Sequence, residues 1–135
     1  MTTAFQKSSV AVTKAIMEFL DMKTVIRDHA ASYADPVVLN AGDPIRLTGE
    51  KEVWDGHAWL WAEGPDGKAG WVPDTIVQSS HGKLYARHDY SAMELTCFEG
   101  ETLSIAMETH GWAWCRSADG RQGWVPLRNL AQREP

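Results

Sequence analysis

Five histidines, two cysteines and seven tryptophans are the residues of this chain whose types could do chemistry. The histidines are His29, His57, His81, His88 and His110. No pair shows His-x-x-x-His spacing, and Cys97 and Cys115 do not form Cys-x-x-Cys, so no preorganised metal site is expected. His88 and Asp89 are adjacent, but neighbours on a strand point to opposite faces and make no acid–base pair. Neither Gly-x-Ser-x-Gly nor a phosphate-cradling glycine loop occurs. The expectation is therefore no catalytic residue, no metal and no cofactor. Binding is what remains, and the tryptophans point to it.

The tryptophans are positioned by an internal repeat. Trp59 to Pro73 and Trp112 to Pro126 both run Trp-x-Trp, strand, Asp-Gly turn and Gly-Trp-Val-Pro, in one register. A repeat of about 50 residues means two copies of one small unit. Domains that small bury only about 60% of their unfolded surface. Large aromatics, each burying roughly 150–250 Å², and packing of one copy on the other offset that weakness. Copy one is expected over residues 22–78 and copy two over 83–135. Only Ser79-Ser80-His81-Gly82 separates them, a linker too short to let them move far apart. Residues 1–21 match neither copy. Val12, Ile16, Phe19 and Leu20 fall at helical spacing behind Ser9, which reads as a short amphipathic helix or as an unstructured leader.

Within copy one, strands are expected at Thr24–Asp28, Ile45–Leu47, Trp59–Glu63, Lys68–Val72 and Thr75–Val77, with Val37–Leu39 an apolar stretch before the Gly42-Asp43 turn. Glu50–His57 reads as a charged loop. Copy two repeats the order, with Ala86–Asp89, Leu95–Phe98, Leu103–Ile105, Trp112–Arg116, Gln122–Val125 and Leu130, and Ser91–Glu94 as its first loop. Gly42 and Trp59 are separated by 17 positions and Gly100 and Trp112 by 12, so copy one carries a loop five residues longer, and it contains Trp54. Short strands with turn signals every 8–12 residues imply an all-β chain of two five-stranded small barrels.

Net charge is −5 and falls mainly on residues 22–78, with five Lys/Arg against nine Asp/Glu. That excludes nucleic acid as the main partner, since phosphate neutralisation needs a basic face. No apolar stretch reaches 18 residues, so no membrane span is expected. No signal-peptide pattern opens the chain, so a cytoplasmic location is the expectation. Cys97 and Cys115 lie in expected strands and read as buried small hydrophobes.

In copy two, Ala86-Arg87-His88-Asp89-Tyr90 is similar to the Ala-Leu-Tyr-Asp-Tyr opening of Src homology 3 (SH3) domains, which copy two resembles. Glu94-Leu95-Thr96-Cys97 is similar to their acidic-Leu-Ser-Phe segment, Gly100-Glu101-Thr102-Leu103 to their Gly-Asp-x-Leu turn, and Gly123-Trp124-Val125-Pro126 to their Gly-Trp-Phe-Pro segment. Copy one resembles the family more loosely, with Val25–His29 at the opening motif. The whole chain resembles bacterial proteins of two variant SH3 domains. The resemblance implies a non-enzymatic adaptor that binds a protein or an extended, proline-rich peptide on an aromatic groove, where a polyproline II helix docks at low ordering cost. Copy by copy, it implies a groove of His88, Tyr90, Trp112, Pro126 and Asn129 with Glu94 as its acid, and a poorer one of Arg27, His29, Trp59, Pro73 and Ile76 with Pro36 at the acid position.

Copy two thus reads as the more competent module, although His88 and Asn129 replace tyrosines. The alternative is a structural or assembly unit whose degenerate grooves are buried between the domains or between chains of a homo-oligomer. Trp61, Trp114 and Phe98 stand where the family is polar, which suggests a covered surface. Trp71 and Trp124 read as packing residues, while Trp59 and Trp112 read equally as groove or as interface.

Overall fold

The repeated alternation of apolar and polar side chains becomes twelve short strands in the computed structural model, which describes residues 21–131. The strands are β1 (Asp21–Val25), β2 (Val38–Leu39), β3 (Arg46–Trp54), β4 (His57–Glu63), β5 (Ala69–Pro73), β6 (Val77–Ser80), β7 (Lys83–Ala86), β8 (Tyr90–Ser91), β9 (Thr102–Thr109), β10 (Trp112–Arg116), β11 (Gln122–Pro126) and β12 (Leu130–Ala131). Two 3₁₀ turns, Asp74–Ile76 and Leu127–Asn129, follow the two Gly-Trp-Val-Pro segments. The helix-or-leader expectation lies outside the described residues, except that Asp21 opens β1.

Two small barrels form, as the repeat requires, but they do not coincide with the two copies. β1 pairs antiparallel with β9, placing Met22 opposite Ser104, and with β12, placing Val25 opposite Leu130. The opening strand of copy one therefore completes a sheet of order β11-β10-β9-β1-β12, otherwise made from copy two. His29 extends this pairing by exchanging backbone hydrogen bonds with Cys97. Reciprocally, β8 of copy two pairs with β2 of copy one, joining Leu39 to Tyr90. Ala86 bonds through its backbone to Gly42 and Asp43.

We call the unit closed by β2–β8 barrel one, and the unit of β1 with β9–β12 barrel two. The cores follow the exchange. Val25, 1% exposed, packs with Leu95, Cys97, Leu103, Ile105, Val125 and Leu130. Ala86, Tyr90 and Ala92 pack with Val37, Leu39, Ile45 and Val72. Each chain crossing is short. Residues 30–36 carry the chain from barrel two to barrel one, and Ser91–Glu94 carry it back. Four extended residues span at most about 14 Å, enough to step between touching barrels. Gly123 lies where the return crossing passes: a Cβ there would sit 2.6 Å from the backbone of Glu94 and Leu95.

Three expectations change accordingly. Ser79–Gly82 is not an interdomain linker; β6 and β7 form a hairpin inside barrel one, turning at His81-Gly82, with φ of 52° and 77°. Glu50–His57 is not a loop. β3 and β4 form a long hairpin closed by Asp55-Gly56, at φ 49° and 81°, the two positive values that suit the strand twist. Leu95–Phe98 forms no regular strand and makes a single bridge, from Cys97 to His29.

Candidate functional site

The exchange re-sorts the groove residues. His88 and Tyr90 go to barrel one, beside Trp59, Pro73 and Ile76, while Trp112, Pro126 and Asn129 stay in barrel two and meet Arg27 and His29 instead. The copy-two groove expected from sequence is thus divided between the barrels, although Tyr90, Glu94 and Trp112 still meet around a small cavity at the junction. Barrel one receives the better aromatic.

In barrel two the groove positions are engaged internally. Pro126 is buried opposite Trp112 in the β10–β11 register. Asn129 is buried and its Nδ2 donates to the carbonyl oxygens of Arg27 and Asp28, at 3.3 and 3.1 Å. Glu94 Oε1 lies 2.9 Å from His29 Nε2, and the His29 ring meets the Trp112 ring edge-on at 5.6 Å. The long β3–β4 hairpin reaches across from barrel one and lays Trp54 against Trp112, ring centroids 5.3 Å apart. Trp54 closely overlies Gly111, where a Cβ would meet the indole at 2.9 Å. Arg128 fixes the hairpin tip: its guanidinium stands 4.1 Å from the Trp54 ring centroid and donates to Asp55 Oδ1 at 2.6 Å. Trp59 is buried in the same junction, its ring 6.2 Å from Trp112 and 5.7 Å from His110. His110 in turn stacks near His57 at 4.8 Å and binds Asp74 Oδ1 through Nε2 at 2.9 Å.

Barrel one is open on the corresponding side. A cleft of about 970 Å³ has Leu39, Pro73, Ile76 and Tyr90 at its floor, and His88, Asp89 and Val38 along one rim. Its far wall comes from barrel two, through Met107, Thr109 and Trp114. The floor is rigid. The Tyr90 hydroxyl donates to the Trp71 carbonyl at 2.8 Å and its ring stacks on Trp124, whose Nε1 donates to the Ser91 carbonyl. Burial, with the Glu94 charge second, raises the Tyr90 phenol well above its ordinary value, so it stays a neutral donor. Val38 and Met107 expose 52% and 46% of their surface, so the cleft presents apolar contact area to solvent.

The other aromatics divide by local packing. Trp124 is buried, as a packing residue should be, and Trp71 is half-buried. Trp61 is half-buried against Trp71 and against Tyr33 from the first crossing. Trp114 is half-buried on Trp124. Phe98, expected on a covered surface, is 56% exposed. Cys97 and Cys115 are buried free thiols in the barrel-two core. Burial pushes both thiols up, Cys115 to about 12, with nearby carboxylates adding to the effect. Among the described residues no group of three or more His, Cys, Asp or Glu is placed to hold a metal ion, and no helix is long and apolar enough to cross a membrane.

Sequence reasoning missed Trp54, Val38 and Met107. For Trp54 a signal existed in the five extra residues of copy one. Val38 and Met107 gain meaning only from the juxtaposition of the barrels.

Comparison with family models gives two matches to the variant SH3 domain, at residues 24–79 and 85–132. The chain belongs to the variant SH3 family and is a tandem of two such domains, a family of protein-interaction modules. Comparisons with curated proteins and with solved structures return no match.

Proposed function

We propose that this protein is a non-catalytic adaptor that seats an extended segment of a partner protein in the cleft over barrel one. The observation that carries this reading is that the cleft gathers His88, Tyr90, Pro73 and Ile76, the family's groove positions, beneath exposed apolar side chains. The corresponding face of barrel two lies under Trp54. The reading differs from the copy-two groove favoured by sequence alone, because Tyr90 and Trp112 serve different barrels. His88 and Ile76 stand in place of tyrosines, so the cleft has less stacking surface for polyproline II ligands. Its apolar walls at Val38 and Met107 suit an extended segment with apolar side chains on alternate positions.

The test is a chemical-shift titration of the labelled protein with extended and proline-rich peptides. Binding here moves the signals of Val38, Ile76, His88 and Trp114, and Met107→Asp weakens it at least about tenfold, the scale of a lost apolar contact of 1–2 kcal/mol. Shifts centred on Trp112, Pro126 and Asn129 would instead place the ligand on barrel two and sink the cleft reading. A second reading applies to barrel two alone: the Trp54 contact and the Arg128–Asp55 pair favour a groove used as an assembly surface within the chain.

A further inference from the structure

Where the barrels meet there is a second, smaller cavity, which shares Tyr90 and Trp124 with the cleft but does not depend on its reading. It measures about 60 Å³, and six rings wall it: Trp54, Trp59, Trp71, Tyr90, Trp112 and Trp124. Ala92 and two carboxylates, Glu52 and Glu94, complete the lining, which contains no lysine or arginine, although the Arg128 guanidinium lies 4.1 Å from the Trp54 ring centroid. Both copies contribute, so neither barrel alone could form it.

The walls say what would be held there. About 10–15 Å³ already admits a water molecule, but a water needs two to four polar partners. The Tyr90 hydroxyl and Trp124 Nε1 are committed to backbone carbonyls, which leaves the indole N–H groups of Trp54 and Trp59 and the two carboxylates as the remaining polar groups of the lining. The faces of aromatic rings carry the negative part of their quadrupole, and the Glu94 charge is felt by Tyr90 within the same wall. The space is therefore apolar to contact yet favourable to positive charge. A bare ammonium or a guanidinium would bring N–H donors, and Glu94 Oε1 is already engaged by His29. An alkylated ammonium brings charge without donors. The choice of indole fits this. Trp54 and Trp59 each leave a buried Nε1 without a partner, a penalty that packing alone could avoid with phenylalanine. Indole is the strongest ring partner for a cation.

We propose that this inter-barrel cavity binds a quaternary, methylated ammonium group. The methyl groups contact the rings, the charge is distributed over their faces, and Glu52 at the exposed rim supplies the counter-charge. Such a head could belong to a free small molecule or to a trimethylated lysine of a partner protein.

The full chain is titrated with choline, with choline's neutral isostere in which carbon replaces nitrogen, and with one peptide bearing trimethyl-lysine or unmodified lysine. Indole N–H signals and tryptophan fluorescence are the readouts. Saturable binding of choline or of the trimethyl-lysine peptide, at least about tenfold tighter than the isostere or the unmodified peptide, is expected. Choline binding assigns a free ligand, and peptide binding alone assigns a protein-borne one; both support the site. Glu52→Gln, at an exposed position that leaves the fold intact, weakens binding about three- to tenfold. Equal affinity for the neutral isostere or for unmodified lysine overturns the proposal, as does the lack of any saturable response to both cations.

Discussion

Barrel one and barrel two descend from one repeat, yet their grooves differ in what they leave open. Barrel one buries its groove tryptophan, Trp59, at the junction but keeps a cleft open over Pro73, Ile76 and Tyr90, with Tyr90 braced from below and Met107 and Trp114 added as a wall by its neighbour. Barrel two has its groove tryptophan pressed under Trp54 and its closing asparagine turned inward onto the backbone of Arg27 and Asp28. The asymmetry arises from one difference in length. Five extra residues lengthen the β3–β4 hairpin, and nothing comparable extends β9–β10. A duplicated binding module can thus lose one site to self-contact while the other gains a wall.

The comparison can be broken most forcefully at Val25. Val25→Asp places a carboxylate in the barrel-two core and costs about 4 kcal/mol or more, a large part of the stability of a small domain. The methyl signals of Leu103, Ile105 and Val125 should be perturbed first. If those of Val37, Leu39 and Ile45 respond first, β1 belongs to barrel one and the exchange is refuted.

A smaller effect follows from Trp54→Ala, which removes the cover from Trp112 at a cost of about 2 kcal/mol, less than for a fully buried tryptophan. Trp112 should then become accessible to a fluorescence quencher, while the Met107 cleft is undisturbed. Unchanged quenching would mean that the groove of barrel two is closed by something else.

Tyr90→Phe sharpens the contrast further. The lost hydroxyl bond to the Trp71 carbonyl costs about 1 kcal/mol, felt in barrel one although Tyr90 belongs to copy two. Amide shifts confined to barrel two would contradict it.

The last effect appears only in alkaline solution. In the fold the Cys115 thiol ionises near 12, against an ordinary value of 9.0. The raised value favours the neutral thiol in the fold, so its contribution is intact below pH 9 and is lost as the pH climbs toward 12. Melting temperature measured across that window should fall less steeply for Cys115→Ala than for the parent chain.

Much of the architecture was legible because periodicity reports which face of a strand is buried. Trp59–Pro73 and Trp112–Pro126 announced their hairpins. Periodicity does not report the partner. Val25 and Ala86 open their copies in the same way and meet the same demand for burial, so either barrel could accept either strand, and the exchange left no trace in the pattern. The candidate site suffered most, since a groove is defined by which strands meet. The β3–β4 hairpin escaped for another reason. Glu50, Lys51 and Glu52 are exposed on both faces, so no alternation marks them as a strand.

The placement of β1 also sets a timetable. It is made early, but the strands that receive it, β9 and β12, lie some 80 to 100 residues further along. At roughly 5–20 residues per second of synthesis, β1 must wait on the order of 4–20 s for its partners to exist. Barrel one can close during that interval, while Val25 stays exposed on a nascent chain that has nowhere yet to put it.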